Sequence, residues 1–520
     1  MQDATILWVD DEIAHLKSHI LFLQQKGLQV ETATNGEDAV ERVRETPFDL
    51  IFLDENMPGI SGLDALAQIK AISPHTPVVM ITKSEEEDVM ESAIGSKIAD
   101  YLIKPVNPNQ ILHSVKKLLQ GRELVGKAVN RGYQQDFRNI TLAFFDDMGP
   151  EQWVEIYRKL LYWELELETA GDATMAQVLL QQKTEANVNF GKFYANQYPN
   201  WVQAKVGERP LLSPDILPQR VLPLVKPGGP TVFFLLIDCL RFDQYLALEP
   251  LLTEDFVIER SEAYFGILPT ATQYARNALF AGLFPSEIAE RFPRYWVHDD
   301  EEKGKNLFEA ELLQELILRQ RLNIKHSYTK VLTHDEGRAF AESVPRLMGN
   351  QLNAVVVNFI DLMTHARSEM SLVKELAPDE AGFRSLAHSW LEHSSLLTAL
   401  RRLKNENVKI VLTTDHGSIR VSKPVRIVGD RDTTTNLRYK QGRNLNYEEK
   451  NRQIFGVRKP EQLKLPKGTV SASYAFALED AFFVYPNNYN YYANHFKDTF
   501  QHGGISLEEV ILPLITLSPK

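Results

Sequence analysis

Asp361 and His365 stand four residues apart in VVNFIDLMTH, a carboxylate and an imidazole that share one face where the run beyond the apolar strand turns helical. Such a pair can grip one metal ion, and the same spacing also occurs on solvated helix faces. Other segments deliver acids to the same kind of position. TVFFLLID ends on Asp238, NAVVVNFID on Asp361, and VKIVLTTDHG on Asp415 and His416. Near the C-terminus His502, in QHGGISLEE, precedes a glycine pair that lets backbone approach a site closely. Acids at three strand ends with His365 and His416 close behind are hard to assign to solvated loops, and they predict a metal centre. Cys239 is the 1 cysteine of the chain, which excludes an intrachain disulfide and a Cys-rich zinc site and leaves Asp, Glu and His as ligands. In GILPTATQYARNALFAG, Thr272 falls at a predicted helix start, where unpaired amides favour an anion, and Arg276 one turn on faces the same phosphate. The alternative is that Thr270 is the helix N-cap and Thr272 a first-turn residue without chemistry. His298, His388 and His393 read as loop or helix-surface residues with a smaller claim on a substrate.

A second set of acids lies near the N-terminus. Asp10 and Asp11 close a first strand and Asp54 a third, Thr82 ends a fourth, and Lys104 ends a fifth before Pro105. Carboxylates converging at one sheet edge repel unless a divalent cation sits among them, and an all-oxygen donor set favours Mg²⁺.

Elements must hold these residues in place. Over residues 1–121 strands and amphipathic helices alternate, which predicts a doubly wound parallel sheet with its site at the carboxyl ends of the strands. Over 122–205 the period changes to 3.6: EQWVEIYRKLLYWELELET, a break at Gly171-Asp172, then TMAQVLLQQKTEANVNFGKFYANQY. Trp153, Ile156, Tyr157, Leu160 and Leu161 share a face, and a central helical bundle serving as connector is expected. The Pro- and Gly-rich LLSPDILPQRVLPLVKPGGP marks a boundary, after which a second α/β pattern runs through the region 206–520.

The 520 residues, 44% hydrophobic and 24% charged, suit about two to four globular domains. The net charge of −12 argues against a duplex-DNA binder, which needs a basic stripe. With neither a membrane-length apolar run nor a signal-like N-terminus, a cytoplasmic location is expected.

The motifs VDDE, LDENMPG, Thr82 and Lys104-Pro105 make residues 1–121 similar to the CheY-like receiver domains of two-component response regulators. The resemblance implies that Asp54 accepts a phosphoryl group from a sensor histidine kinase. Asp11, Asp54 and the carbonyl of Asn56 would hold Mg²⁺, with Asp10 acting mostly through water. Thr82 and Lys104 would bind the phosphoryl oxygens, and Tyr101 would be the aromatic switch. LLID, PTAT, DLMTH, TTDHG and HGGISLEE follow the segment order of the alkaline phosphatase superfamily, and DCLRFD and HGGISLEE resemble its PglZ-type branch. The resemblance implies one zinc held by Asp361, His365 and His502 and a second by Asp238, Thr272, Asp415 and His416. Ligands of the third, magnesium-type site of superfamily monoesterases are not evident. Threonine cannot become formylglycine, so phosphodiester rather than sulfate ester chemistry is implied, on a nucleotide or cyclic oligonucleotide. The whole order resembles response regulators associated with type IX secretion. It implies homodimerisation on phosphorylation, and it admits an alternative output by contact with a sigma factor or a secretion-motor component.

Overall fold

The computed structural model describes residues 4–73, 76–83, 98–298, 304–430, 433–448, 450–466 and 472–520. The chain divides into two compact units, Met1–Arg138 with Leu165–Ala176, and Asn139–Glu164 with Gln177–Lys520.

In the first unit, strands β1 (Thr5–Val9), β2 (Gln29–Ala33), β3 (Leu50–Asp54), β4 (Val78–Thr82) and β5 (Asp100–Ile103) form one parallel sheet in the order β2–β1–β3–β4–β5. Alternate residues of a strand point to opposite faces, so β1 and β3 feed two cores. Leu7, Val9, Ile51 and Leu53 meet Ala39, Val40, Leu66 and Ile69 of helices α2 (Gly36–Glu45) and α3 (Gly62–Ile72). On the other face Ile6, Trp8, Leu50 and Phe52 meet Leu23 of α1 (Lys17–Gln25) and Ile111 and Val115 of α4 (Pro108–Val115). Helices on both faces explain why the central strands are apolar throughout rather than alternating.

Helices α5 (Gly121–Ala143), α6 (Pro150–Ala170) and α7 (Ala173–Trp201) follow, with the predicted break at Gly171 (φ +69°). Trp153, Ile156, Tyr157, Leu160 and Leu161 are buried as one face, as their spacing requires. The helical stretch is not a compact unit by itself: Asn139–Glu164 and Gln177 onward pack with the C-terminal part, where Tyr157 meets Phe242 edge-on at 6.2 Å.

The sheet of the second unit has six strands, β6 (Thr231–Ile237), β7 (Phe256–Phe265), β8 (His326–Val331), β9 (Leu352–Val357), β10 (Val408–Thr413) and β11 (Ile511–Pro519), in the order β7–β11–β10–β6–β9–β8. β10, β6, β9 and β8 run parallel, and β11 runs antiparallel to β10 and β7. Register levels the strand ends that matter: Leu236 of β6 lies opposite Thr413 of β10, and Ile237 opposite Val357 of β9. The residues just beyond these strands therefore emerge at one sheet edge, where open α/β sheets build their sites. Helix α8 (Phe242–Thr253) follows β6, α9 (Thr272–Ala281) follows β7, and α10 (Phe359–Glu369) follows β9. Among the described residues no helix is long and apolar enough to cross a membrane.

Candidate active site

Two groups of ligand-type side chains meet at that edge: Asp361, His365 and His502, and Asp238, Asp415 and His416. Asp238 immediately follows β6, and Asp415 lies two residues beyond β10, as the apolar runs suggested. Asp361 differs from expectation. Its strand ends at Val357 and the acid sits in the first turn of α10, the placement that puts it on one helix face with His365. A pairing of Ile419 with Gln501 ties the segment after His416 to the segment before His502. Their rings stack with centroids 4.2 Å apart, so the two groups adjoin.

The second partners of these imidazoles set their tautomers. His502 Nδ1 donates to the Thr270 carbonyl oxygen at 3.2 Å and His416 Nδ1 to that of Gly417 at 3.1 Å, leaving each Nε2 lone pair turned to the carboxylates. Asp361 Oδ1 lies 3.6 Å from His365 Nε2 and 3.7 Å from His502 Nε2, and Asp238 Oδ1 lies 3.7 Å from His416 Nε2. These gaps exceed a hydrogen bond and suit a cation bonded at about 2.0–2.2 Å to each donor. Asp361 Oδ1 is buried with no hydrogen-bond partner among the described residues. An orphaned buried carboxylate oxygen is costly, and two imidazole nitrogens facing it make the group fit zinc. Burial, with the stacked His416, pushes His502 down to about 4, so the ring is neutral at pH 7, as a ligand must be. Burial also raises Asp238 far above the usual carboxylate range, whereas for Asp415 burial is opposed by the Arg276 guanidinium, His416 and hydrogen bonds, which together hold it low.

Thr272 is the first residue of α9, and its Oγ lies 3.0 Å from His416 Nε2. With His416 Nδ1 already donating, the threonine hydroxyl is the donor to Nε2. The expected alternative, Thr270 as N-cap, does not hold. The cap residue is Ala271, which has no capping side chain to offer; Tyr274 N donates to Ala271 O at 2.9 Å, and the amides of Thr272 and Gln273 are left to a ligand. Thr270 is buried and brackets the glycine pair, donating to Gly504 O at 2.9 Å and accepting from Gly503 N at 3.0 Å. Only glycine fits there: Gly503 has φ +122°, and a Cβ on Gly504 would stand 2.4 Å from the Ala477 oxygen.

Arg276 requires a correction. It is fully buried among carboxylates: it touches Asp238, donates from Nε to Asp415 Oδ2 at 2.9 Å, and lies 3.4 Å from Glu309 Oε1, so its hydrogen-bonding groups are engaged by acids. Buried carboxylates need positive charge beside them, and a helix residue one turn below Thr272 supplies part of it. Glu309, which also contacts Lys330 at 2.9 Å, was not singled out from sequence, where it is one glutamate among many in an amphipathic run. His298, His388 and His393 belong to neither ligand group; His393 ends the helix Glu380–Glu392 with its ring on Ser389 O.

In the receiver unit Asp10, Asp11 and Asp54 converge. Lys104 Nζ reaches Asp10 and Asp54 at 2.8 Å each, yet Asp54 Oδ1 is buried without a hydrogen-bond partner among the described residues. Burial raises the Asp54 carboxyl, and the charges of Asp10 and Asp11 add to this against Lys104. One lysine among three acids leaves negative charge over, so the site fits a divalent cation. Asn56 is exposed in the turn after β3. Thr82 donates to Glu55 and also bonds Tyr101, so both switch residues are engaged with each other and with an acid next to Asp54. Glu55 was missed because nothing but its adjacency to Asp54 marks it.

Family models match in three consecutive segments: a response regulator receiver domain over residues 6–116, the linker domain of PorX response regulators over 123–202, and the BREX system PglZ alkaline phosphatase-like domain over 216–517. Among curated relatives, the alginate biosynthesis transcriptional regulatory protein AlgB of Pseudomonas aeruginosa is 35% identical over 122 residues, 24% of this chain and 27% of that one. The transcriptional regulatory protein ResD of Bacillus subtilis is 32% identical over 118 residues, 23% of this chain and 49% of its own. The chain thus spans between about a quarter and a half of these relatives' length. Solved structures that match include the BeF₃-activated DrrB receiver domain (32% identity, 23% of this chain, 99% of that one, TM-score 0.22) and chemotaxis response regulator CheY4 of Vibrio cholerae (28% identity, 22% and 99%, TM-score 0.21).

Proposed function

Since the chain belongs to the PglZ alkaline phosphatase-like family and carries a response-regulator receiver in front of that domain, we propose that it is a two-component regulator whose output is a zinc-dependent phosphodiesterase acting on a nucleotide or cyclic oligonucleotide. The carrying observation is Thr272: a hydroxyl at an uncapped helix start, 3.0 Å from His416 and beside two adjoining Asp/His groups.

Asp361, His365 and His502 would hold one zinc, and Asp238, Asp415, His416 and Thr272 the other. Zinc, when bound, supplies a Lewis acid that favours the ionised form of a hydroxyl and of water. The Thr272 and Gln273 amides at the start of α9 bind the phosphoryl oxygens and aim phosphorus at Thr272 Oγ. The Thr272 hydroxyl gives up its proton to solvent, attack forms the Oγ–P bond and breaks the bond from phosphorus to the departing oxygen, and that oxygen takes a proton from solvent. Water then attacks phosphorus and breaks the Oγ–P bond, Oγ takes back a proton, and the phosphomonoester leaves. Arg276 holds the Asp415 carboxylate ionised and keeps Asp238 and Asp415 in place throughout. The threonine nucleophile, with no third metal group among the described residues of this unit, supports diesters over monoesters.

In the receiver, Asp54 accepts the phosphoryl group from a sensor kinase, with Mg²⁺ held by Asp11, Asp54 and Asn56 and with Asp10 nearby. A role in type IX secretion belongs to this proposal through the resemblance of the whole segment order to regulators associated with that process, an order with which the PorX linker match agrees. Elemental analysis tests the metal assignment: protein purified without chelator should carry close to two zinc per chain, and His365→Ala or His502→Ala should lose about one, since a three-ligand set does not survive loss of an imidazole. Protein free of transition metal contradicts the assignment.

A further inference from the structure

One face of α7 is polar where packing alone would ask for apolar residues. Lys183, Asn187, Gly191, Tyr194 and Tyr198 recur every three or four positions and are buried. Their partners fall in two places. Tyr194 OH donates to Gly266 O at 2.5 Å, and Tyr198 OH accepts from Leu268 N at 3.0 Å. Both partners lie in the segment that leads from β7 to Thr272. Asn187 Oδ1 accepts from Leu507 N at 2.8 Å, while its Nδ2 donates to Glu508 Oε2 at 3.0 Å. Lys183 bridges Glu164 of α6 at 2.6 Å and Glu508 at 3.9 Å. Between them, a Cβ on Gly191 would stand 3.2 Å from Leu478, whose residue pairs with Ile505, three positions past His502.

We propose that α7 is a positioning element of the catalytic site rather than a connector: Asn187, Tyr194 and Tyr198 fix the two loops that present Thr272 and His502. The inference rests on the reading of those two residues given above. Leu268 N, Leu507 N and Gly266 O are buried backbone groups that must be paired, and here a single helix pairs all three. A shift of that helix therefore moves both loops together. The buried Lys183–Glu164–Glu508 charges add little net stability, and their use is to fix the register of the helix against the site. The helix begins in the stretch Leu165–Ala176, which belongs with the receiver, so the chain itself offers a covalent route from the receiver to this face.

The test compares the full chain with Tyr194→Phe/Tyr198→Phe, which keeps both rings, and with Asn187→Ala. Leu179→Ala serves as the control, a cavity on the same helix at a buried residue that touches neither loop through a hydrogen bond. Hydrogen exchange read by mass spectrometry should show protection of peptides covering 264–274 in the tyrosine variant, and 502–510 in the asparagine variant, falling about tenfold. Leu179→Ala should leave both peptides unchanged relative to the rest of the chain. Turnover of an activated diester should fall about tenfold in kcat at unchanged KM in the polar variants only. Equal loosening in Leu179→Ala, or no change in either peptide, overturns the proposal. A wild type inert on every diester removes the proposed reaction instead, while the exchange comparison still decides the role of the helix; Tyr198→Phe alone supplies the reading where the double variant does not fold.

Discussion

Arg276 is fully buried against Asp238, Asp415 and Glu309, so removing it strands Asp238 and Asp415 without their guanidinium, while Glu309 keeps Lys330. Arg276→Ala should destabilise the output domain by roughly 3–5 kcal/mol in urea melts; a variant that melts like the wild type and only loses turnover would return Arg276 to the phosphate. Lys440 offers a pH test. It is buried, donates to Thr434 O at 2.9 Å and lies over the Tyr485 ring at 4.6 Å, and burial pushes its amine down to about 7. The unfolded chain keeps that proton up to about pH 10.4, so the folded state is penalised most at pH 7 and below, and the penalty fades as pH rises toward the unfolded value. Lys440→Met should stabilise by on the order of 2 kcal/mol at pH 7 and by almost nothing near pH 10.5; denaturation midpoints at the two pH values check the sign. At this scale the clustering of Asp238, Asp415 and His416, and of Asp361, His365 and His502, was legible, because Asp and His after apolar runs have few other reasons to gather. The direction Arg276 takes was not, since one turn of helix places a side chain beside an anion site or beneath it with equal ease.

Elements explain what the residue types could not. Apolar runs ending in acids located the strand ends, and the 3.6-residue period of 150–201 located two helices with their break at Gly171. The same period hid the role of α7, because a face chosen to hydrogen-bond loops has the spacing of a face chosen to pack. The cap of α9 stayed open in the sequence for a related reason: Ala271 gives no side-chain signal, and the loop contacts that occupy Thr270 span more than two hundred residues of sequence. Thr270→Val, which removes the hydroxyl between Gly503 and Gly504, should weaken zinc binding about 10–100-fold in chelator competition. Turnover should return at saturating zinc, whereas Thr272→Ala should stay inactive. Unchanged zinc affinity in Thr270→Val would mean that the glycine pair holds His502 without it.

For the molecule as a whole, phosphorylation of Asp54 should favour a homodimer. It adds charge and acceptor oxygens where Lys104 already meets two acids and where Thr82 is held by Glu55 and Tyr101. Such a local change shifts only an equilibrium already nearly balanced. Light scattering with beryllofluoride and Mg²⁺ should show the mass rise in the wild type and not in Asp54→Ala; an equal rise in both would place the effect elsewhere. In the proposed function Thr272, 3.0 Å from His416, is the nucleophile of a phosphodiesterase. The most direct test is the hydrolysis of bis-(p-nitrophenyl) phosphate by the zinc-loaded full chain, beside the matching monoester and beside Thr272→Ala of measured zinc content. Cleavage of the diester faster than the monoester is predicted, with a loss of about a thousandfold or more in Thr272→Ala at nearly unchanged zinc. Wild-type rates in Thr272→Ala, or a zinc-loaded wild type inert on diesters, would contradict it.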